Sequence, residues 1–165
     1  MKSEMAIIAF GSNLGDSRKS ILDAMARLQN FSDVPILQSS LWQTSPVNCP
    51  PDSPKFVNAV AGLVPRKDET PESLLEKLRK LEKEFGRAPK TVLNEPRPLD
   101  LDLIAFGNEI RNSSELILPH PRAHLRKFVL QPLSEIAPDL ILAGQGKTVL
   151  DLIAEIPSEE TFTQL

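Results

Sequence analysis

The run Leu99-Asp100-Leu101-Asp102-Leu103-Ile104-Ala105-Phe106, closed by Gly107-Asn108, constrains this chain more than any other stretch. Its alternation is that of a strand, in which successive side chains point to opposite faces of a sheet. Leu99, Leu101, Leu103 and Ala105 are then expected on one face, with Asp100, Asp102, Ile104 and Phe106 on the other. Two carboxylates thus stand side by side in an otherwise apolar segment. Like charges that close repel and raise a pKa unless a cation lies between them, and a divalent metal is the usual answer. A solvated strand face carrying two acids is the competing account of an Asp-x-Asp triplet. Arg97, just upstream, is placed to reach an anion that such a metal would hold.

The chain before this run supplies two more strands and two helices. Met5 to Phe10 is a continuous apolar run, a buried strand, and it ends in Gly11-Ser12-Asn13-Leu14-Gly15-Asp16. That loop lacks the spacing of a phosphate-cradling loop and reads as a strand-to-helix turn capped by Asp16 or Ser17. Its glycine would also let a flat ligand approach the backbone. The following helix is expected to bury Ile21, Leu22, Met25 and Leu28. Leu37 to Thr44 alternates as one strand, and Phe56 to Val64 as another that puts Phe56, Asn58 and Val60 on one face. An unpaired amide in an apolar strand costs about 1 to 3 kcal/mol, so Asn58 either belongs to a structural network or recognises a flat heterocycle beside Phe56. Thr70-Pro71 opens a second helix that buries Leu74, Leu75, Leu78, Leu81 and Phe85 and ends at Gly86. Glu82 falls on the same stripe, either at the rim of the core or aimed at a ligand.

Two long connections, one stiffened by Pro46, Pro50, Pro51 and Pro54 and the other running from Arg87 to Pro96, flank the carboxylate pair. Such loops suit lids that exclude water from a reaction. After the Asp-x-Asp strand come a short return strand, His120 held between prolines, Arg126, and short helices from Val129 onward, one capped by Thr148.

Composition removes several function classes. The 165 residues are read as one domain, 1–165. No apolar run approaches the roughly 18 residues that span a bilayer, and the start lacks a signal-peptide layout. One cysteine, Cys49, cannot form an internal disulfide, so a cytoplasmic protein is expected. A net charge of -3 argues against general nucleic-acid binding. From Gly86 to Lys127, however, seven Lys or Arg stand against five acids, leaving -5 for the remainder. A segment mixing arginines with paired aspartates suits a metal-bound polyphosphate.

Taken in order, the early Gly-Ser-Asn-Leu-Gly, Thr-x-Pro before a long loop, Phe-x-Asn after it, Arg-x-x-Asp-Leu-Asp-Leu-Ile, Leu-Pro-His and Arg-x-Phe resemble the 6-hydroxymethyl-7,8-dihydropterin pyrophosphokinases of folate biosynthesis. The resemblance extends to about Ala143. It implies an α+β, ferredoxin-like fold with a mainly antiparallel sheet, helices packed on it and long active-site loops. It further implies transfer of the pyrophosphoryl group of ATP to the pterin hydroxymethyl oxygen, with release of AMP. Asp100 and Asp102 match the ligands of two magnesium ions, and Arg87 and Arg97 match loop arginines that neutralise the phosphates. Glu82, Leu103, His120 and Arg126 match the ATP site. Phe56 and Phe128 match aromatics that sandwich the pterin, Asn58 its hydrogen-bonding amide, and Gly11, Thr44, Ser45 and Val47 the pocket lining. The implied partners are the two small substrates, with no nucleic acid or membrane, and a monomer is expected.

The chain departs from the family pattern at Asn94 and Glu95, where Trp and Gly are usual, at Pro89, and at Pro121 after His120. These changes are expected to weaken loop closure and ATP binding while leaving activity in place. A nucleotidyltransferase with paired aspartates, releasing pyrophosphate, and a non-enzymatic ligand sensor remain the alternatives. Phe-x-Asn and Arg-x-Phe disfavour the first, and retention of both arginines and both aspartates the second.

Overall fold

The computed structural model describes residues 5–13, 16–44, 56–86, 99–156 and 162–164. Both long connections fall outside these residues, and with them Ser45, Val47, Arg87, Arg97 and the departures at Pro89, Asn94 and Glu95.

The apolar run forms β1 (Ala6–Ser12), every residue of which is buried. Asp16 then caps α1 (Ser17–Leu28), its carboxylate accepting from the Lys19 N–H at 3.2 Å. This helix buries Ile21, Ala24, Met25 and Leu28, whereas Leu22 is 48% exposed. A helical step of about 100° takes Leu22 off the stripe that Ala24 completes. The expected strand from Leu37 to Thr44 is two short pieces, β2 (Leu37–Gln38) and β3 (Trp42–Thr44). Leu37 lies opposite Gly62 but Trp42 opposite Asn58, so the segment between them carries one extra residue. Ser39 bridges the break: its N–H donates to the Val60 carbonyl at 2.9 Å, and its hydroxyl accepts from the Val60 N–H at 2.8 Å.

Next come β4 (Phe56–Leu63) and α2 (Pro71–Glu84). Thr70 and Ser73 cap α2 reciprocally, and Gly86 follows its end at φ 91, a conformation open to glycine. The Asp-x-Asp run is β5 (Asp100–Phe106), followed by the small hairpin of β6 (Arg111–Asn112) and β7 (Ile117–Leu118). Beyond it lie α3 (Lys127–Ile136), α4 (Val149–Ala154, capped by Thr148 as expected) and β8 (Phe162–Gln164). The strand β8, on a stretch where the sequence suggests only helices, pairs with β3.

The main sheet runs β5-β1-β4-β3-β8, with β2 also on β4 and every pairing antiparallel. The central strand order and the two helical crossovers are those of the ferredoxin-like α+β fold. One face of the sheet packs on α1 and α2 through Ile8, Phe10, Met25, Leu74, Leu78 and Leu101, and the other on α3 and α4 through Ile7, Val60, Leu130, Leu133 and Leu152. Leu78 is fully buried in the first core. Leu78→Ala should cost about 2 to 5 kcal/mol, read as a lower urea midpoint at unchanged slope.

The simple alternation expected of β5 fails near its end. Leu103 pairs with Ile8 and Ala105 with Ile7, so Ile104 is an extra residue in a bulge. Phe106 therefore joins Leu99, Leu101 and Leu103 in the core under α1 and α2, while Ile104 and Ala105 both pack toward α3 and α4. The bulge leaves Asp100 and Asp102 undisturbed on one face.

Candidate active site

Register brings the polar residues of three strands into one row. Asn58 of β4 lies opposite Gly11 of β1, which in turn lies opposite Asp100 of β5. Cross-strand partners point to the same face, so the amide and the carboxylate stand roughly 10 Å apart across two strand spacings. Between them the backbone is bare. A Cβ added to Gly11 would lie 3.3 Å from the Asn58 amide nitrogen and 3.9 Å from both the Asp100 Cβ and the Phe56 ring. Asn58 is buried, and its amide nitrogen donates to the Phe10 carbonyl at 3.5 Å. Ser12, the last residue of β1, and Asn13 after it are also buried. Thr44 closes β3 with its backbone opposite Phe56; its side chain lies outside the described residues.

Asp102, one step along β5, pairs with Ala9. Burial and then the Asp100 carboxylate raise its pKa to about 6, against the opposing pull of Arg79 and Arg126. At neutral pH the pair carries repulsion that a divalent cation would relieve. Among the described residues no group of three or more His, Cys, Asp or Glu side chains converges on a metal position. Two hard carboxylates fit magnesium, which is usually held by one or two carboxylates and takes its other ligands from water and substrate phosphates.

Side chains of α2 fix the segment between the two aspartates. The outward N–H of Leu101 donates to Glu82 Oε2 at 2.8 Å, and the Arg79 guanidinium donates to the Leu101 carbonyl at 2.9 Å and to Glu82 Oε1 at 2.9 Å. β5 is an edge strand, and this clasp satisfies both edge groups of Leu101, the residue between the aspartates. Glu82 is 2% exposed, its carboxylate turned onto the edge of β5 rather than out to solvent. Arg79 escapes a reading of the sequence, although its place one turn before Glu82 was a usable signal.

The bulge at Ile104 serves the site as well, since its carbonyl accepts the His120 N–H at 2.8 Å and draws that residue against β5. The Arg122 N–H donates to His120 Nδ1 at 3.2 Å, which leaves the ring proton on Nε2. Burial, then Arg126 and Arg122, lowers the His120 pKa to about 4. The imidazole is thus a neutral donor at pH 7. Because its folded pKa lies below the unfolded value, stability should erode as pH falls from about 6.5 toward 4. An NMR titration should place the His120 midpoint near 4, and His120→Asn should flatten that acid limb of the stability profile.

A cleft of about 230 Å³ opens beside Asp102 and His120, walled by Leu75, Arg79, Leu103 and Pro121 and by the 114–117 segment. Arg126, at the start of α3, lies over the Phe128 ring at 5.5 Å. The structure therefore gathers Asn58, Gly11 and Asp100 in one crossing row with the Phe56 ring beside Gly11, and Asp102, Leu103 and His120 along the cleft beside it, with Glu82 behind β5 and Arg126 acting on the charges of both Asp102 and His120.

Residues 7–138 match the family model of 7,8-dihydro-6-hydroxymethylpterin-pyrophosphokinase. The chain is 39% identical over 155 residues to the 2-amino-4-hydroxy-6-hydroxymethyldihydropteridine pyrophosphokinase of Pseudomonas aeruginosa, covering 92% of this chain and 91% of that one. It is 38% identical over 154 residues to folic acid synthesis protein fol1 of Pneumocystis carinii, covering 93% of this chain but only 20% of that longer protein. A crystal structure of Plasmodium falciparum HPPK-DHPS superposes with a TM-score of 0.70 at 13% identity, over 93% of this chain and 45% of that one, a likeness of fold.

Proposed function

Because the chain belongs to the 7,8-dihydro-6-hydroxymethylpterin-pyrophosphokinase family, we propose that it transfers the pyrophosphoryl group of ATP to the hydroxymethyl oxygen of 6-hydroxymethyl-7,8-dihydropterin in folate biosynthesis. The hydroxymethyl oxygen forms a bond to the β-phosphorus, the bond from that phosphorus to the α,β-bridging oxygen breaks, AMP departs, and the hydroxyl proton passes to solvent. The observation that carries this reading is the row of Asn58, Gly11 and Asp100, which sets a heterocycle-reading amide one bare backbone away from a phosphate-side carboxylate.

On the acceptor side, Phe56 and Phe128 stack on the pterin, Asn58 bonds its edge, and Gly11, Thr44, Ser45 and Val47 line the pocket. On the donor side, Leu103 and the cleft take the nucleotide. Neutral His120 donates to a phosphate oxygen, and Arg87, Arg97 and Arg126 offset the charge that shifts in a loose transition state. Glu82 acts through the backbone of Leu101. Asp100 and Asp102 would hold two magnesium ions, which supply neutralisation of phosphate charge and polarisation of the reacting phosphoryl group. No strong base is required, since positioning supplies most of the rate when the nucleophile's proton leaves late.

The chain is read as a single domain acting as a cytoplasmic monomer on small molecules. Among the described residues no helix is long and apolar enough to cross a membrane. AMP release measured with each component omitted in turn tests the reading: it should require both the pterin and Mg²⁺. AMP formed at the same rate without the pterin would mean that the pocket holds no acceptor.

A further inference from the structure

The row of site residues extends one strand further than the pocket just assigned. Trp42 of β3 is the cross-strand partner of Asn58, so its indole projects on the same face as Asn58, Gly11 and Asp100. Its ring N–H donates to Glu135 Oε1 of α3 at 2.7 Å. The other Glu135 oxygen accepts from the Ser40 hydroxyl at 2.7 Å and the Ser40 N–H at 3.2 Å. From the outer side of β3, Gln164 of β8 donates to the same Ser40 hydroxyl at 2.8 Å. One carboxylate thus ties α3 to β3, and β8 backs the strand it holds.

Glu135 lies seven residues after Phe128, close to two full helical turns, so the two side chains leave nearly the same side of α3. Between them stands Pro132, which has no N–H to give the Phe128 carbonyl four residues earlier. The helix therefore lacks the i→i+4 main-chain bond that would end on the Phe128 carbonyl. Its rotation there depends on contacts with the sheet. The buried ones are Val129, Leu130, Pro132 and Leu133, which are apolar and carry no bond direction; Glu135 adds a polar contact with fixed direction.

We propose that Trp42 and Glu135 are positioning residues that set the gap between Phe128 on α3 and Phe56 and Asn58 on the sheet, and so the fit of the pterin ring. The inference rests on the assignment of Phe56, Asn58 and Phe128 to the pterin. It concerns that half of the site alone, because the clamp lies on the opposite side of Asn58 from Asp100.

Steady-state kinetics with both substrates varied test it on Trp42→Phe, which keeps the ring and deletes the N–H, and on Glu135→Ala and Glu135→Gln. Glu135→Ala should raise the KM for the pterin about tenfold and Trp42→Phe about threefold, with the KM for ATP within twofold of wild type. Glu135→Gln, which retains a carbonyl acceptor, should recover most of the loss. A pterin KM unchanged in Trp42→Phe and Glu135→Ala, or equal rises in both KM values, would overturn the clamp. Asn58→Ala, run alongside, separates the two layers. If it raises the pterin KM while the clamp variants do not, the clamp alone is wrong. If Asn58→Ala leaves the pterin KM unchanged, the pocket assignment fails and the clamp with it.

Discussion

Asp102→Asn is expected to lower kcat by about a thousandfold or more, equivalent to about 4 kcal/mol of transition-state stabilisation, while making the metal-free protein more stable than wild type at pH 7.5. The two effects share one cause. Asp102 stands beside Asp100 on a partly covered strand, and burial with that neighbour raises its pKa to about 6. A folded pKa above the unfolded value means that ionisation opposes folding. The cost appears as pH rises from the unfolded value through about 6 and is fully present at neutral pH. An asparagine has nearly the same shape without the charge, so it removes the cost and also one of the two carboxylates assigned to the metal. Thermal melts of both proteins in chelator and in millimolar Mg²⁺ should show wild type gaining more from the ion. If the asparagine variant instead melts lower in chelator, the carboxylate pair is already neutralised by protein groups and the case for a cation weakens.

Glu82→Ala should cost about 2 to 3 kcal/mol of stability and about 10- to 100-fold in kcat. The carboxylate is buried and takes the edge N–H of Leu101 and the Arg79 guanidinium. Alanine leaves that N–H without an acceptor in a place water reaches poorly, and it takes the carboxylate from Arg79, whose exposure and bond to the Leu101 carbonyl limit the penalty on that side. Activity suffers because Leu101 is the residue between the aspartates. Loosening its backbone lets both carboxylates drift. Glu82→Gln keeps a single acceptor oxygen and should fall between wild type and alanine in both chemical denaturation and turnover. A kcat unchanged in Glu82→Ala would show that the clasp serves only the fold.

Much of the architecture is legible because its main elements carry local causes. Apolar period marked β1, β4 and β5, and Asp16, Thr70 and Thr148 announced the helix starts by their capping chemistry. What escaped was register. A bulge costs one residue of pairing and leaves no composition signal, so the shift at Ile104 that turns Phe106 under the helices, and the break at Ser39 that divides one expected strand, are products of tertiary pairing. Leu22 departs from the expected stripe because Ala24, small as it is, fills the space against the sheet. β8 was missed because three residues at an edge owe their conformation to β3 rather than to their own pattern.

Of the residues that the fold gathers into the candidate site, both carboxylates, Asn58, Phe56 and His120 stand out in the sequence by strand alternation, by flanking prolines and by the family resemblance. Arg79, Trp42 and Glu135 do not. Each acts through a neighbour that is distant in sequence: Arg79 reaches the backbone of Leu101, and Glu135 crosses to Trp42. No spacing rule along the chain encodes those long-range contacts, although the i,i+3 place of Arg79 before Glu82 is a local signal. His120 also changes character in the fold, from an expected phosphate-contacting group of unstated charge to a neutral Nε2–H donor set by the Arg122 N–H.

The central claim is pyrophosphoryl transfer at the row of Asn58, Gly11 and Asp100, and phosphorus NMR of the reaction mixture tests it most directly. With Mg²⁺, ATP and 6-hydroxymethyl-7,8-dihydropterin, the spectrum should show AMP and a pterin diphosphate accumulating in equal amounts, with the diphosphate absent in Asp102→Asn over the same time. ADP with a pterin monophosphate, or free pyrophosphate with a pterin adenylate, would contradict it.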